Sequence, residues 1–169
     1  VLYGYITSDI GTSKDGDDTI YTFDVWTGTG SNTKGVELKT DGGDVVADLA
    51  KGAIISYKLN EDGTINQKEL AVLDDLTQVA ITSIDGDDVY ISEDGAPASA
   101  TSYNTDDDET VVFFVNSDKM EGVQGAIEDL DISTESETDD VYLLNAYALV
   151  NGNSELKLLV VDPVNSEWK

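Results

Sequence analysis

The sequence predicts an all-β fold made of two small tandem domains, and three observations lead to this prediction. Apolar and polar residues alternate over most of the 169-residue chain with the two-residue period of β-strands. Short acidic turns that contain glycine separate the alternating segments. Segments of the first half are echoed in the second, at a spacing too long for a solenoid repeat and suitable for a duplicated domain.

In the first half, the alternating segments predict five strands. In the second of them, Tyr21, Phe23 and Val25 share one face, as a half-buried strand requires. The last two flank Asn60-Glu61-Asp62-Gly63, a sequence typical of a hairpin turn. The predicted strands are 3–8, 19–26, 35–39, 53–59 and 64–73.

One short helix is predicted between the third and fourth strands. Asp44 is a suitable N-cap for residues 45–51, and Gly52 stands where a left-handed C-cap belongs. A helix of about two turns is too short to be stable alone, so we expect packing to hold it.

The second half repeats this layout. Residues 79–83 echo the opening strand, and the turn Asp85-Gly86-Asp87-Asp88 echoes Asp15-Gly16-Asp17-Asp18. Residues 110–115 are predicted to be the equivalent of the strand that ends at Trp26, and a hairpin over 141–161 the equivalent of the hairpin around Gly63. We therefore predict two small β-barrels or β-sandwiches of about five strands each, related by duplication.

The boundary between the two domains is predicted near Leu76. The first domain then covers residues 1–76 and the second residues 77–169, with a linker starting after the last strand. Trp168, beyond the last strand and Pro163, is expected to be exposed, either as the start of this linker or as a contact to whatever follows.

The charged residues exclude several classes of function. The chain has 35 acidic residues against 9 lysines, a net charge of −26, and no arginine, histidine or cysteine. Without a basic surface we expect no binding to nucleic acid and no insertion into or attraction to an anionic membrane. Neither a serine nor a cysteine nucleophile has a histidine to activate it, and zinc, haem and iron–sulfur sites lose their usual ligands.

What remains for chemistry is a set of carboxylates, hydroxyls and carbonyls, which suit hard cations such as calcium. The acids are unevenly distributed, with 14 acids and 6 lysines in residues 1–76 and 21 acids and 3 lysines in residues 77–169. They concentrate in the loops 85–88, 106–109 and 128–140, while the strands carry few. We expect two neutral cores surrounded by a negative rim.

These motifs, taken together, resemble the β-rich regions that follow the anchoring repeats of bacterial S-layer-homology proteins. The resemblance is carried by the opening Tyr-Gly-Tyr-Ile-Thr-Ser, by Lys-Gly-Ala-Ile-Ile-Ser-Tyr-Lys-Leu before Asp62-Gly63, and by Ile-Thr-Ser-Ile-Asp-Gly-Asp-Asp-Val-Tyr-Ile. An Asp-rich segment leading into Thr-Val-Val-Phe-Phe-Val completes it. It implies an exported surface or S-layer protein, located outside the bacterial cell, with no catalytic residues to assign.

The best match to a metal-binding motif is an EF-hand-like spacing over 58–70. With Gly63 at the sixth position of such a loop, Asn60, Asp62, Asn66 and Glu69 take ligand positions. The first position, however, is Lys58, and the preceding segment reads as strand where a helix is required. We interpret the segment as a hairpin turn and reject the EF-hand.

The Asp-Gly-Asp-Asp loops and Asp106-Asp107-Asp108 are better candidates for calcium, because clustered carboxylates repel one another until a cation joins them. The alternative is that they are solvated turn tips whose charge keeps edge strands apart, and this interpretation is favoured. We assign no metal-binding residue, no catalytic residue and no cofactor, and keep calcium as a hypothesis.

Two further classes of site were weighed. A glycosidase would use paired carboxylates, but no motif beyond the abundance of acids indicates one, so we predict no enzyme. Aromatic residues on strands can form a sugar-stacking face, although at this period they more often belong to a core. The aromatic candidates are Tyr3, Tyr5, Tyr21, Trp26, Tyr142 and Tyr147.

The sequence as a whole predicts a non-catalytic structural domain pair of a secreted bacterial cell-surface protein. It would act as a spacer or as a self-assembling lattice element, in contact with copies of itself or with neighbouring surface-protein domains. Because the net charge opposes self-association, we expect cations to promote it. The alternatives are a carbohydrate-binding or adhesion module of an exported protein and a structural subunit of a filament or virion.

Overall fold

The computed structural model describes residues 1–127, 132 and 142–168, with the backbone alone for residues 142 and 164–168. The chain divides into two compact units. The first comprises Val1–Asp74 and Lys119–Gln124, and the second comprises the described residues among 75–118 and from 125 onward. The predicted acidic loop 128–140 lies outside the described residues, apart from Ile132.

Within the described residues, thirteen strands account for nearly all the regular structure. In chain order they are β1 (Leu2–Ile6), β2 (Gly11–Asp15), β3 (Asp18–Trp26), β4 (Val36–Lys39), β5 (Ile54–Tyr57), β6 (Ala71–Val72), β7 (Thr77–Asp85), β8 (Asp88–Ser92), β9 (Thr101–Asn104), β10 (Val111–Asn116), β11 (Glu121–Val123), β12 (Tyr142–Val150) and β13 (Leu156–Trp168). Two single turns of 3₁₀ helix, Gln67–Glu69 and Pro97–Ser99, are also described. The predicted all-β class is confirmed.

The first unit is a sheet that closes into a small barrel. Its strands lie in the order β2-β3-β1-β5-β6, with β4 on the other side of β3. Ile65 closes the ring, because it bridges Thr40 after β4 and Leu59 after β5. Its N–H donates to the Lys39 carbonyl at 2.8 Å, and its side chain is fully buried.

The interior of this barrel is built from the alternating positions that the sequence marks. Along β3, Tyr21, Phe23 and Val25 are buried while the intervening residues are partly exposed. They pack in one apolar cluster with residues of the other strands, and this cluster contributes to the stability of the unit. Its other buried members are Ile6, Ile55, Tyr57, Ile65 and Leu70.

The helix predicted over residues 45–51 is wrong; the segment is an irregular loop. Asp48 has a φ of 60°, which no helix interior accommodates. The Val46 N–H donates to the Tyr21 hydroxyl at 3.1 Å, and Val46 and Leu49 pack on the core. Tertiary contacts therefore outweigh the weak local preference of so short a segment.

The second unit is a longer sheet whose strands lie in the order β10-β13-β12-β7-β8-β9. Neighbouring strands are antiparallel except β10 and β13, which pair in parallel. Leu158, Leu159, Val160 and Val161 of β13 are all fully buried. A strand with both faces covered reads as a continuous apolar run, which explains the loss of alternation there.

The two units share one strand order, which agrees with the predicted duplication. In the first it runs β4-β3-β1-β5-β6, and in the second β9-β8-β7-β12-β13, with every pair antiparallel. The Asp15↔Asp18 and Asp85↔Asp88 pairs close the same two-residue turn, and Gly16 and Gly86 have φ values of 62° and 61°. A hairpin turn with a positive φ at its first central residue favours glycine there.

The predicted match between the strand ending at Trp26 and residues 110–115 is wrong. The counterpart of β3 in the shared order is β8, directly after the Asp-Gly turn, while β10 has no equivalent in the first unit. Both segments are apolar, and their composition alone does not distinguish an equivalent strand from an additional one.

The last strand does not end at Val161, and the predicted linker from Pro163 is wrong as far as Trp168. β13 continues to Trp168 and pairs with the start of β12, Tyr142 opposite Trp168. Pro163 lies in an irregular stretch, where the register jumps from Asn145↔Asp162 to Leu143↔Glu167. A proline is tolerated at such a bulge because no ladder N–H is required of it.

Candidate functional site

The Asp-Gly-Asp-Asp turns lie at the surface, and local hydrogen bonds hold the second one. All four residues of the first turn, 15–18, are exposed. In the second, Asp88 accepts from the Asn104 amide at 2.9 Å, and the Asp87 carbonyl accepts the N–H and hydroxyl of Thr105, both at 2.7 Å. These contacts tie the turn to the end of β9.

The loop carrying Asp106, Asp107 and Asp108 is exposed and is tied to β13 by an ion pair. Asp107 accepts the Glu109 N–H at 3.0 Å, which closes a local turn. Glu109 in turn lies 2.7 Å from the Lys157 ammonium, and this hydrogen bond raises the lysine pKa. One end of the cluster is therefore neutralised within the protein.

Over the described ranges, no three acidic side chains come together as a metal site would require. Calcium binding therefore stays a hypothesis.

The segment 58–70 forms the predicted turn, with its polar side chains used internally. Asp62 accepts both the N–H of Thr64, at 2.9 Å, and its hydroxyl, at 2.6 Å, and these bonds lower the aspartate pKa. Lys58 and Glu69, the first and last positions of the EF-hand spacing, form an ion pair at 3.3 Å. The residues that would ligate a metal in an EF-hand thus stabilise the hairpin itself.

A cluster of hydroxyls around Asp94 was not predicted from the sequence. One oxygen of Asp94 accepts from the Ser92 hydroxyl at 2.6 Å, the Ser99 hydroxyl at 2.5 Å and the Ala96 N–H at 2.9 Å. These donors, led by Ser92, hold the pKa of Asp94 well below its ordinary range. The spacing of an aspartate between two serines was the available signal, but it is too common to single out.

Two buried polar side chains also escaped the sequence analysis. Gln67 is 5% exposed; its amide nitrogen donates to the Asp44 carbonyl at 2.7 Å, and its Oε1 is buried with no hydrogen-bond partner. Asp162, in the apolar centre of β13, is 1% exposed and accepts a hydrogen bond from the Ser117 hydroxyl. Gln67 lies in the segment 64–73, predicted as a strand, which forms a 3₁₀ turn at Gln67–Glu69 and a strand only at Ala71–Val72. Asp162 follows the apolar run of β13, which predicts packing alone.

Three of the aromatic residues considered for sugar stacking are buried. Tyr5, Tyr21 and Trp26 are at most 5% exposed, so they belong to the core. Tyr3 and Tyr147 are half-buried, and the side chain of Tyr142 lies outside the described set. Burial removes half of the proposed stacking face.

Comparison with protein-family models gives no match, and comparisons with curated proteins and with solved structures give no significant one. Within the part of the chain that the structure describes, no helix has the length and apolar character needed to cross a membrane.

Proposed function

We propose that this chain is a non-catalytic structural domain pair of a secreted bacterial cell-surface protein of the S-layer type. It serves there as a spacer or as a lattice element whose self-association is assisted by cations. The observation that carries the proposal is the use of acidic side chains at the turns, where they close the backbone while adding negative charge to the surface.

This use of acids recurs in both units. Asp62, Asp94 and Asp107 each accept the N–H two residues ahead, and asparagines at other turns do the same. A carboxylate in such a turn both makes the loop more rigid and keeps it hydrated. Both properties suit a domain whose role is to hold shape outside a cell.

The net negative charge also means that assembly of several copies requires cations. With a net charge of −26, two copies repel each other until counterions screen or bridge their carboxylates. Divalent cations accomplish this more effectively than sodium at equal ionic strength, because they can bridge acids of two copies. We therefore expect assembly to respond to calcium itself as well as to salt.

Light scattering on the 169-residue chain tests the lattice role. Particle size is measured in chelator, in millimolar calcium and in sodium chloride of matched ionic strength, and we expect growth in calcium beyond that in sodium. Equal size in all three conditions would reject assembly through this chain and leave only the spacer role.

A matched pair of variants locates the effect. Asp85→Asn, Asp87→Asn and Asp88→Asn together remove three charges from one acidic turn, and growth in calcium should fall. The control carries Asp9→Asn, Asp48→Asn and Asp74→Asn, which removes the same charge from scattered exposed positions. If both triple variants respond alike, the loop cluster has no special part in assembly.

A further inference from the structure

The second unit contains a groove of roughly 530 Å³ with an apolar floor. Val79, Ile91 and Ala148 form this floor and are 6%, 6% and 4% exposed. They lie on three neighbouring strands, β7, β8 and β12, and the small side chain of Ala148 leaves the space above it open. Tyr103 of β9, half-buried, forms a side wall.

Among the described strands, β9 is an edge strand that borders the groove and carries no charged side chain. β9 ends the sheet order and pairs with β8 alone among the strands of this unit. Its four residues, Thr101-Ser102-Tyr103-Asn104, include no charge, whereas β2 contains Lys14 and Asp15 and β4 contains Glu37 and Lys39. An uncharged edge presents backbone groups that another strand can pair with.

The groove is also negatively charged. Asp75, Glu93 and Asp94 line it together with the hydroxyls of Ser99 and other residues, and no lysine does. The serine and backbone donors around Asp94 keep that carboxylate ionised. Apolar contact is therefore available at the floor, while the lining attracts a cation.

We propose that this groove binds an extended peptide segment bearing lysine or arginine, which adds to the sheet as a strand beside β9. Strand addition supplies main-chain hydrogen bonds, while alternate side chains enter the groove. One apolar side chain then covers Ala148 and Ile91, and a cationic side chain two residues along the peptide, on the same face of the strand, lies near Asp75 and Glu93.

The observations favour this occupant over two others. A second copy of the chain would bring a further net charge of −26 to an acidic surface. A sugar usually stacks on a flat aromatic platform, and among the described residues that line this groove Tyr103 alone is aromatic. A basic strand uses the floor, the free edge and the carboxylates together.

Titration of the ¹⁵N-labelled 169-residue chain with a capped Lys-Thr-Val-Thr-Lys peptide, whose valine and lysines share one face when extended, tests the proposal. Calorimetry gives the Kd, and NMR gives the residues whose amides shift. We expect shifts at β9 and the groove floor, no binding of the matching Glu-Thr-Val-Thr-Glu peptide, and loss of binding when alternate peptide nitrogens are methylated.

Two charge variants distinguish binding at the groove from a general attraction of the basic peptide to the acidic protein. Asp75→Asn with Glu93→Gln should weaken the Kd by roughly fivefold, as the loss of two ion pairs to exposed carboxylates implies. Asp85→Asn with Asp87→Asn, which removes equal charge outside the groove lining, should change it less than about twofold. Ala148→Val should also weaken binding by filling the floor, with the NMR spectrum verifying its fold.

Several results would overturn the proposal. Absence of peptide binding at about 1 mM, the weakest range useful for recognition, is one. Equal losses in the two charge variants, or unchanged binding of the methylated peptide, would show diffuse attraction without strand addition. Shifts of Tyr103 caused by a neutral oligosaccharide and not by the peptide would assign the groove to sugar, and self-association blocked by Ala148→Val would assign it to a second copy.

Discussion

The contact between Gly122 and Trp26 gives a sharp test of the first unit. A β-carbon added at Gly122 would lie 2.2 Å from Cδ2, 2.3 Å from Cε2 and 2.5 Å from Cγ of the Trp26 indole. Carbon atoms normally approach to about 3.5–4.0 Å, so Gly122→Ala is more than 1 Å too close. Trp26 is fully buried, and the Gly122 N–H is held to the Thr33 carbonyl at 2.7 Å. Moving either the Trp26 indole or the Gly122 backbone away would therefore cost stability.

We expect Gly122→Ala to lower the free energy of unfolding of the first unit by about 3 kcal/mol, the upper end of the usual cost of overpacking. Urea unfolding followed by far-UV circular dichroism measures it, with the transitions of the two units fitted separately. The control is Gly152→Ala, where no atom lies within 4 Å of the added carbon, and it should change stability by less than about 0.5 kcal/mol.

A double variant isolates the cause. If the indole is what Gly122→Ala collides with, Trp26→Phe should relieve part of the loss, with a coupling of at least about 1 kcal/mol in the double-mutant cycle. A Gly122→Ala protein as stable as the Gly152→Ala control would refute the reasoning. It would mean that the segment 119–124 does not pack against β3.

Three further predictions concern buried and hydrogen-bonded polar groups. Gln67→Glu should destabilise the first unit at pH 7 by about 2 kcal/mol or more, because it places a carboxylate beside the Asp44 carbonyl without a hydrogen-bond donor. Gln67→Met should destabilise the unit less, and thermal melts at pH 7 compare the two variants. Burial raises the pKa of the Tyr57 hydroxyl above 10.0. The stabilisation from the buried neutral hydroxyl is therefore present below pH 10 and is lost as pH rises through the raised pKa. In unfolding measured over a series of alkaline pH values, Tyr57→Phe should remove this loss of stability. The pKa of Asp94 is lowered, so its contribution is present above pH 3.8 and is lost as pH falls through the folded value; a carboxyl NMR titration should show Ser99→Ala moving that pKa back toward 3.8.

The all-β class and most strand positions follow from the sequence because they depend on local alternation. β3 shows this directly: its buried residues Tyr21, Phe23 and Val25 are the ones the two-residue period selects. The Asp-Gly turns were equally readable, since a positive φ at Gly16 and Gly86 is a local requirement of the hairpin. The recurrence of the Asp-Gly turn after a similar strand indicated a duplication, but the order of the strands in each sheet was not predicted.

The incorrect predictions concern segments whose structure is determined by contacts with residues distant in the sequence. Residues 45–51 form a loop because Val46 bonds to Tyr21, which is 25 residues away. β13 passes Pro163 because its partner strand accommodates a bulge there, and a proline alone gives no hint of this. In both cases a weak local preference yields to tertiary structure, as expected of short segments.

The polar features were hidden for a related reason. The three donors to Asp94 come from residues 92, 96 and 99, which meet only after the chain turns back through Pro97–Ser99. The groove over Ala148 joins strands far apart in sequence, so composition could indicate an acidic surface without locating it.

Immunogold electron microscopy of intact cells that produce the protein tests the central claim most directly. Antibodies against the 169-residue chain should label the cell exterior without permeabilisation, as a continuous or regularly spaced coat. Gold that reaches the protein only in permeabilised cells, where it lies inside the envelope, would contradict a structural role at the surface.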